Sequence, residues 1–83
     1  MPPDPRLEVT RKAPPESLRQ FGRNLSKLRW QAKLDLDQLA AKIDTTKRYV
    51  QYLESGQKSP TLFTLKKLKT ALNCSYQDLL NGV

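Results

Sequence analysis

The sequence predicts a small all-α domain, and three observations support that fold class. From Glu16 onward, apolar residues recur at spacings of three and four, which is the period of an amphipathic helix. Residue types that begin or end helices stand between these apolar stretches. No stretch shows the strict apolar–polar alternation of a half-buried strand. A chain of 83 residues forms one domain at most.

The first fifteen residues are predicted to form a flexible arm. Residues 1–15 hold five of the six prolines, and their apolar residues have no helical or strand period. Three basic and two acidic side chains leave this stretch with a charge of +1, so residues 16–83 carry +6 of the net +7. We therefore divide the chain into an arm, 1–15, and a helical domain, 16–83.

The first predicted helix begins after Pro15, a residue type that suits the first turn of a helix. Its apolar stripe predicts the buried face: Leu18, Phe21, Gly22, Leu25, Leu28 and Ala32. Trp30 lies off this stripe. Three interpretations of Trp30 stay open: the arm covers it, a partner covers it, or it is partly exposed and has no role.

Four shorter helices are predicted from their capping residues. Asp35 with Gln38 resembles a capping box that opens a helix over Leu36–Ile43. Thr46 caps a helix that runs to about Ser55 and stops at Gly56, a residue that favours helix ends. Thr61 caps a helix to Leu72, and Ser75 with Asp78 opens the last helix, Tyr76–Leu80. The predicted inward positions of these helices are Leu36, Leu39, Ala40, Ile43, Val50, Leu53, Leu62, Leu65, Leu68 and Leu72.

Composition disfavours several classes of protein. The chain has no histidine and a single cysteine, Cys74, so we expect no disulfide, no zinc site and no cofactor. No nucleophile–base pair or Gly-rich phosphate loop is visible, and we expect no enzyme. No apolar run approaches the ~20 residues that span a bilayer. We therefore expect a cytoplasmic protein without a membrane partner.

The charge favours a nucleic-acid partner. The net charge is +7 and the isoelectric point is near 9.9, which is typical of small domains that bind phosphates. The same charge is compatible with a basic protein that has no acidic partner. Its meaning depends on where the basic side chains lie.

The segment from Leu36 to Gly56 has the pattern of a helix-turn-helix, two short helices joined by a tight turn. Ala40 is small enough for the second helix to cross closely. The turn needs a backbone near the left-handed region, and Asp44, which stands there, tolerates that conformation better than most residues. Such a pair can direct the N-terminal end of its second helix into the major groove of DNA.

The segment LDLDQLAAKIDTTKRYVQYLESGQKSPTLFTLKKLKTALNCSYQDLL resembles the XRE-type helix-turn-helix family, the DNA-binding domain of phage repressor and Cro proteins. The matching elements are Leu39-Ala40, Thr45-Thr46, Leu53-Glu54-x-Gly56, Pro60, Ala71-Leu72, Ser75 and Leu79-Leu80. The likeness extends from about Leu18 to Leu80. It implies a compact five-helix lambda-repressor-like domain in which helices 2 and 3 form the helix-turn-helix. It also implies a sequence-specific regulator of transcription that binds double-stranded DNA, of the phage repressor, plasmid regulator or restriction–modification controller type.

The resemblance assigns roles to individual side chains. Lys47, Arg48 and Tyr52 match positions that read base edges, and Gln51 lies on the same face. The positions that contact phosphate are matched by Thr46, Ser55 and Lys58. Arg29 and Glu54 match a structural pair that links the first and third helices. The direction of Tyr49 stays open, since its family counterpart is usually small.

Some residues depart from the family pattern. The second helix commonly begins with a Gln that donates to a phosphate, whereas this chain has Leu36, which cannot donate through its side chain. Asp35, Asp37 and Asp44 place negative charge close to the expected DNA surface. These differences bear on the DNA sequence that is bound and on its affinity.

The resemblance also implies a homodimer, for which we expect an interface formed by Phe63, Tyr76, Gln77 and Leu80. An alternative is an antitoxin that uses the same fold, with the arm or Trp30 contacting an unidentified protein partner. A further alternative is a protein-interaction module that has lost DNA binding. Lys47, Arg48 and the +6 of the helical domain favour the DNA-binding hypothesis.

Overall fold

The computed structural model describes residues 14–83, which form five α-helices and no strand. The helices are α1 (Glu16–Gln31), α2 (Leu36–Lys42), α3 (Lys47–Ser55), α4 (Leu62–Leu72) and α5 (Tyr76–Leu80). The predicted all-α class and the number of helices are confirmed. The predicted arm, 1–15, lies outside the described residues except for Pro14 and Pro15.

The four predicted caps begin their helices as expected. Each cap side chain accepts a hydrogen bond from the backbone N–H three residues later, which satisfies one of the free donors of a helix start. These caps are Asp35, Thr46, Thr61 and Ser75. The capping boxes of α2 and α5 are complete, because Gln38 and Asp78 accept in return from the cap backbone. Local chemistry therefore fixes where each of these helices begins.

The core forms where α1 packs against α3 and α5 and where α2 packs against α3 and α4. Its buried apolar side chains come from all five helices and from the residue after α2: Phe21, Leu25, Leu39, Ala40, Ile43, Val50, Leu53, Leu68, Leu72 and Leu79. Gly22 lets α1 and α3 approach closely, because a Cβ at that position would lie 2.1 Å from the Glu54 carbonyl oxygen.

Three details of the predicted pattern are wrong. Leu62 is 79% exposed, not buried, because it begins α4 at the surface, and only the later turns of that helix reach the core. Ala32 is exposed because α1 ends at Gln31 and the chain reverses at Lys33, whose φ is 59°. Ile43 is buried as expected but caps α2 from outside the helix.

Within residues 14–83, no helix is both long and apolar enough to cross a membrane. The same residues contain no group of three or more His, Cys, Asp or Glu side chains that could hold a metal ion. Cys74 is half-buried against the core, and burial raises the pKa of its thiol.

Candidate nucleic-acid interface

The turn between α2 and α3 is tight and requires one left-handed residue. Asp44 has φ 57°, a conformation that Asp tolerates better than most residues. The Thr45 N–H donates to the Ala40 carbonyl oxygen at 2.9 Å, which closes the turn onto α2. Buried Ala40 and Ile43 anchor the α2 side of the turn. This geometry fixes the angle at which α3 leaves the domain.

Helix α3 has one buried face and one exposed face. Val50 and Leu53 are fully buried, so the residues of the opposite face must point outward. Lys47, Arg48 and Gln51 are exposed along that face, and Tyr52 beside them is half-buried. Within residues 14–83, neither Lys47 nor Arg48 forms an ion pair. The exposed face of α3 therefore presents two cations in its first turn, and the amide of Gln51 one turn later, to an external partner.

The chain leaves α3 at Gly56, whose φ is 81° and whose N–H donates to the Leu53 carbonyl oxygen. Glycine is favoured here because left-handed backbone strains other residues, and because a Cβ would also lie 3.0 Å from the Arg19 backbone N. Just beyond, the Lys58 ammonium lies 5.1 Å from the Tyr52 ring centroid and 5.9 Å from that of Tyr49. Attraction between the cation and the two rings holds Lys58 beside the exposed face of α3.

Tyr49, whose direction the sequence leaves open, is half-buried and packs against the core. Its hydroxyl lies 3.5 Å from Thr64 Oγ1, on the first turns of α4. The ring thus joins α3 to α4. It is not one of the fully exposed residues at the start of α3.

The three side chains that the sequence predicts as phosphate contacts lie at the two ends of α3. Thr46 Oγ1 accepts from the Tyr49 N–H at 3.1 Å, and its own hydroxyl hydrogen stays available. Ser55 Oγ donates to the Tyr52 carbonyl oxygen at 3.2 Å. A phosphate contact by the Ser55 hydroxyl hydrogen would therefore require rotation of that side chain. Lys58 is exposed and needs no such rearrangement.

The structure brings Arg29 and Glu54 together as a bidentate pair. Arg29 Nε and Nη2 donate to the two Glu54 carboxylate oxygens at 2.7 and 3.1 Å, and Nη1 donates to the Leu34 carbonyl oxygen at 3.0 Å. The hydrogen bond with Glu54 raises the pKa of Arg29, although burial acts in the opposite direction. With side chains only 9% and 13% exposed, loss of one partner would strand a charge at a cost of about 3–5 kcal/mol. The pair ties the last turns of α1 and α3 and the α1–α2 loop into one frame.

The residues predicted to form a dimer interface are exposed on α4 and α5. Phe63 is 75% exposed, and Tyr76 and Leu80 are each about 40% exposed. Gln77 is also exposed. The sequence reasoning missed Leu62, which adds a further exposed apolar side chain at the start of α4. Its helical spacing with half-buried Leu65 and buried Leu68 suggested an inward position, and no local signal showed that the first turn of α4 lies outside the core.

The Helix-turn-helix family model matches residues 25–79, more than half of the chain. Control protein C.MunI of a Mycoplasma species is 33% identical over 66 residues, which are 77% of this chain and 88% of that protein. The uncharacterized HTH-type transcriptional regulator y4dJ of Sinorhizobium fredii (strain NBRC 101917 / NGR234) is 32% identical over 59 residues, 71% of this chain and 77% of that one.

A solved structure shows the same fold. The restriction-modification controller protein C.AhdI from Aeromonas hydrophila aligns with a TM-score of 0.75 at 32% sequence identity, over 78% of this chain and 98% of that one. The residues matched by the family model, 25–79, include the second part of α1, the capped α2–turn–α3 unit and α4. This chain therefore belongs to the XRE-type helix-turn-helix family of DNA-binding transcriptional regulators.

Proposed function

We propose that this chain is a homodimeric control protein of a restriction–modification system, which acts in the cytoplasm and binds a palindromic DNA site. Two similar proteins support the controller assignment, since one is a control protein and the other a restriction-modification controller. The proposed activity is binding alone, and it requires no catalytic group, metal or cofactor.

The exposed cationic start of α3 is the observation that carries this proposal. In the proposed complex, α3 enters the major groove with Lys47 and Arg48 foremost, and Gln51 and Tyr52 follow along the same face. A planar guanidinium can donate to both O6 and N7 of guanine, and a contact of this kind discriminates between bases by about 1–3 kcal/mol. Arg48 and Lys47 are therefore the proposed guanine-reading residues.

Backbone contacts fix the register of the proposed complex. Thr46 and Ser55 bracket α3, and Lys58 lies just beyond it. A helix of nine residues is about 13 Å long, so hydroxyls at its two ends are suited to phosphates at different places along the groove. Such contacts position the protein without reading sequence.

A single recognition helix contacts only a short stretch of DNA, so the proposed function includes a dimer. Two copies related by a twofold axis would place their α3 helices in half-sites about 34 Å apart. The proposed interface consists of Phe63, Tyr76, Gln77 and Leu80, whose exposed apolar surface is suited to an isologous contact.

Selection from random duplex DNA, followed by titration at physiological salt, tests this function. We expect a palindromic winner that binds at least ~10³-fold more tightly than a scrambled duplex. The Lys67→Ala variant serves as a control, since it removes one exposed charge from α4 and leaves α3 intact. Weak binding that is equal on both duplexes would contradict the proposal and favour a protein-interaction module.

A further inference from the structure

Trp30 is a large side chain that the core does not use. It lies on the last turn of α1 and is 70% exposed. The Arg29 guanidinium lies 5.4 Å from its ring centroid, and Arg29 is itself held by Glu54. The ring therefore rests against a fixed cation. A large, exposed ring that is held in place in this way is suited to contact with another molecule.

The ring lies beside the first turn of the recognition helix. A groove of about 430 Å³ is lined by Trp30, Leu36 and Lys47, together with Arg29, Asp35 and Asp37. Lys47 begins α3 and Leu36 begins α2. The exposed surface of Trp30 is thus continuous with the side of the molecule that enters the major groove in the proposed complex.

The groove and the Glu54 partner of Arg29 together hold two cations and three carboxylates, so there is no excess of positive charge. Glu54 pairs with Arg29, and the Asp35 carboxylate adds to the negative field at that guanidinium. Asp37 and Lys47 also line the groove and carry opposite charges. Coulomb attraction to a phosphate is therefore not the source of affinity at this groove. What the groove offers is the apolar surface of Trp30 and Leu36 and an indole N–H that has no acceptor among residues 14–83.

We propose that Trp30 packs against the sugar–phosphate backbone at the edge of the major-groove site, with its indole N–H directed at a phosphate oxygen. Deoxyribose offers an apolar face to the ring, and Leu36 extends the same apolar surface toward α2. This inference rests on the proposed placement of α3 in DNA. It adds a contact whose contribution does not depend on net charge.

Trp30 is the only tryptophan in the chain, so its fluorescence reports this contact directly. The full chain is titrated with the selected palindromic duplex, and anisotropy of a fluorescein-labelled copy of the duplex follows binding independently. We expect the indole emission to change in step with the anisotropy. A scrambled duplex provides the control for specific binding. Free N-acetyl-tryptophanamide, titrated with the same DNA, gives the loss of emission caused by absorption of the bases, and this loss is subtracted.

Variants separate this contact from a charge effect. Trp30→Ala removes on the order of 50 Å² of packed apolar surface, and we expect roughly tenfold weaker binding at an unchanged salt slope. Trp30→Phe keeps a ring and should retain most of the affinity. Gln31→Ala, an exposed neighbour on α1, should bind like the parent.

The outcomes distinguish this inference from the proposed function. If anisotropy shows tight binding while the indole emission and the Trp30→Ala affinity stay unchanged, Trp30 lies outside the interface and the inference is overturned. An emission change that follows protein concentration without DNA would place Trp30 in a protein contact, which also overturns it. If the anisotropy never rises, the proposed function fails and the inference fails with it.

Discussion

Arg48 and Lys58 carry the same charge in different settings, and the difference predicts different roles. Arg48 is exposed on the first turn of α3, where a planar guanidinium can meet the edge of a base. Lys58 lies beyond the helix, held 5.1 Å from the Tyr52 ring. A single ammonium at such a place neutralises a phosphate without reading sequence.

Alanine substitution separates these roles. We expect Arg48→Ala to weaken cognate binding by about 1–3 kcal/mol and to relax preference at one base pair. We expect Lys58→Ala to weaken binding on all duplexes and to lower the salt slope by about one. Titration of the cognate and its single-base variants at several salt concentrations measures both effects. An equal loss on every sequence for Arg48→Ala, or an unchanged slope for Lys58→Ala, would remove that residue from its proposed role.

Gly22 is the residue on which the contact between α1 and α3 depends. An added Cβ would lie 2.1 Å from the Glu54 carbonyl oxygen and 2.6 Å from the Glu54 carbonyl carbon. Backbone atoms cannot rotate out of the way, so the two helices must separate. Because Glu54 also binds Arg29, separation of α1 and α3 would disturb the ion pair that positions α3.

We therefore expect Gly22→Ala to lower the free energy of unfolding, although helix propensity alone would raise it. Alanine in place of a helical glycine ordinarily stabilises by up to about 1 kcal/mol. Here we expect overpacking to lower the free energy of unfolding by about 1–3 kcal/mol, as measured by urea unfolding. Gln31→Ala, at an exposed position of the same helix, should leave the midpoint nearly unchanged. A Gly22→Ala midpoint equal to or above that of the parent would show that α1 and α3 are not packed so closely.

At the scale of helices, Asn24 ties the short α5 to α1. Its Nδ2 donates to the carbonyl oxygens of Leu79 at 2.9 Å and Asn81 at 2.8 Å, while its Oδ1 accepts from Gln20. A five-residue helix has little stability of its own. These two bonds therefore fix the end of a helix that carries three of the four residues of the proposed dimer interface.

We expect Asn24→Ala to loosen α5 before the rest of the domain. Loss of the two bonds to Leu79 and Asn81, together with the exposed bond from Gln20, should cost about 1–3 kcal/mol, measured by urea unfolding. Amide hydrogen exchange should accelerate most within Tyr76–Leu80. Lys27→Ala, an exposed change on the same helix, is the control. Uniform acceleration over all five helices would contradict a role confined to α5.

The difference between local and distant signals explains which elements the sequence predicts. The caps at Thr46 and Ser75 act within three residues, so their pattern is visible in the sequence. The bonds from Asn24 join residues 55 and 57 positions apart, and no local pattern shows them. The exposure of Leu62 has the same origin, since it depends on how far the core extends along α4.

The candidate site also combines features that local sequence predicts with features that depend on distant packing. Buried Val50 and Leu53 set the outward face of α3, so its exposed residues follow from helical spacing. The arrangement of Lys58 over two tyrosine rings depends on how the chain turns after Gly56. The position of Trp30 beside Lys47 depends on the packing of three helices. Neither arrangement is visible in sequence spacing.

At the scale of the whole molecule, dimerisation and DNA binding are coupled in the proposed function. Each subunit supplies one recognition helix, so a monomer contacts only one half-site. Phe63, 75% exposed on α4, lies in the proposed interface. In an isologous interface a substitution occurs twice, once on each side of the twofold axis. One added carboxylate at Phe63 therefore places two negative charges in an apolar contact.

We expect Phe63→Glu to raise the dimer dissociation constant at least about tenfold, a change of ~1.4 kcal/mol or more, as measured by analytical ultracentrifugation. Affinity for the full palindrome should fall with it, whereas affinity for an isolated half-site should stay the same, because α3 is untouched. Ala41→Glu adds the same charge at an exposed position of α2 outside both surfaces, and it should leave the dimer intact. A Phe63→Glu protein that stays dimeric while it loses half-site binding would place Phe63 at the DNA and move the dimer interface elsewhere.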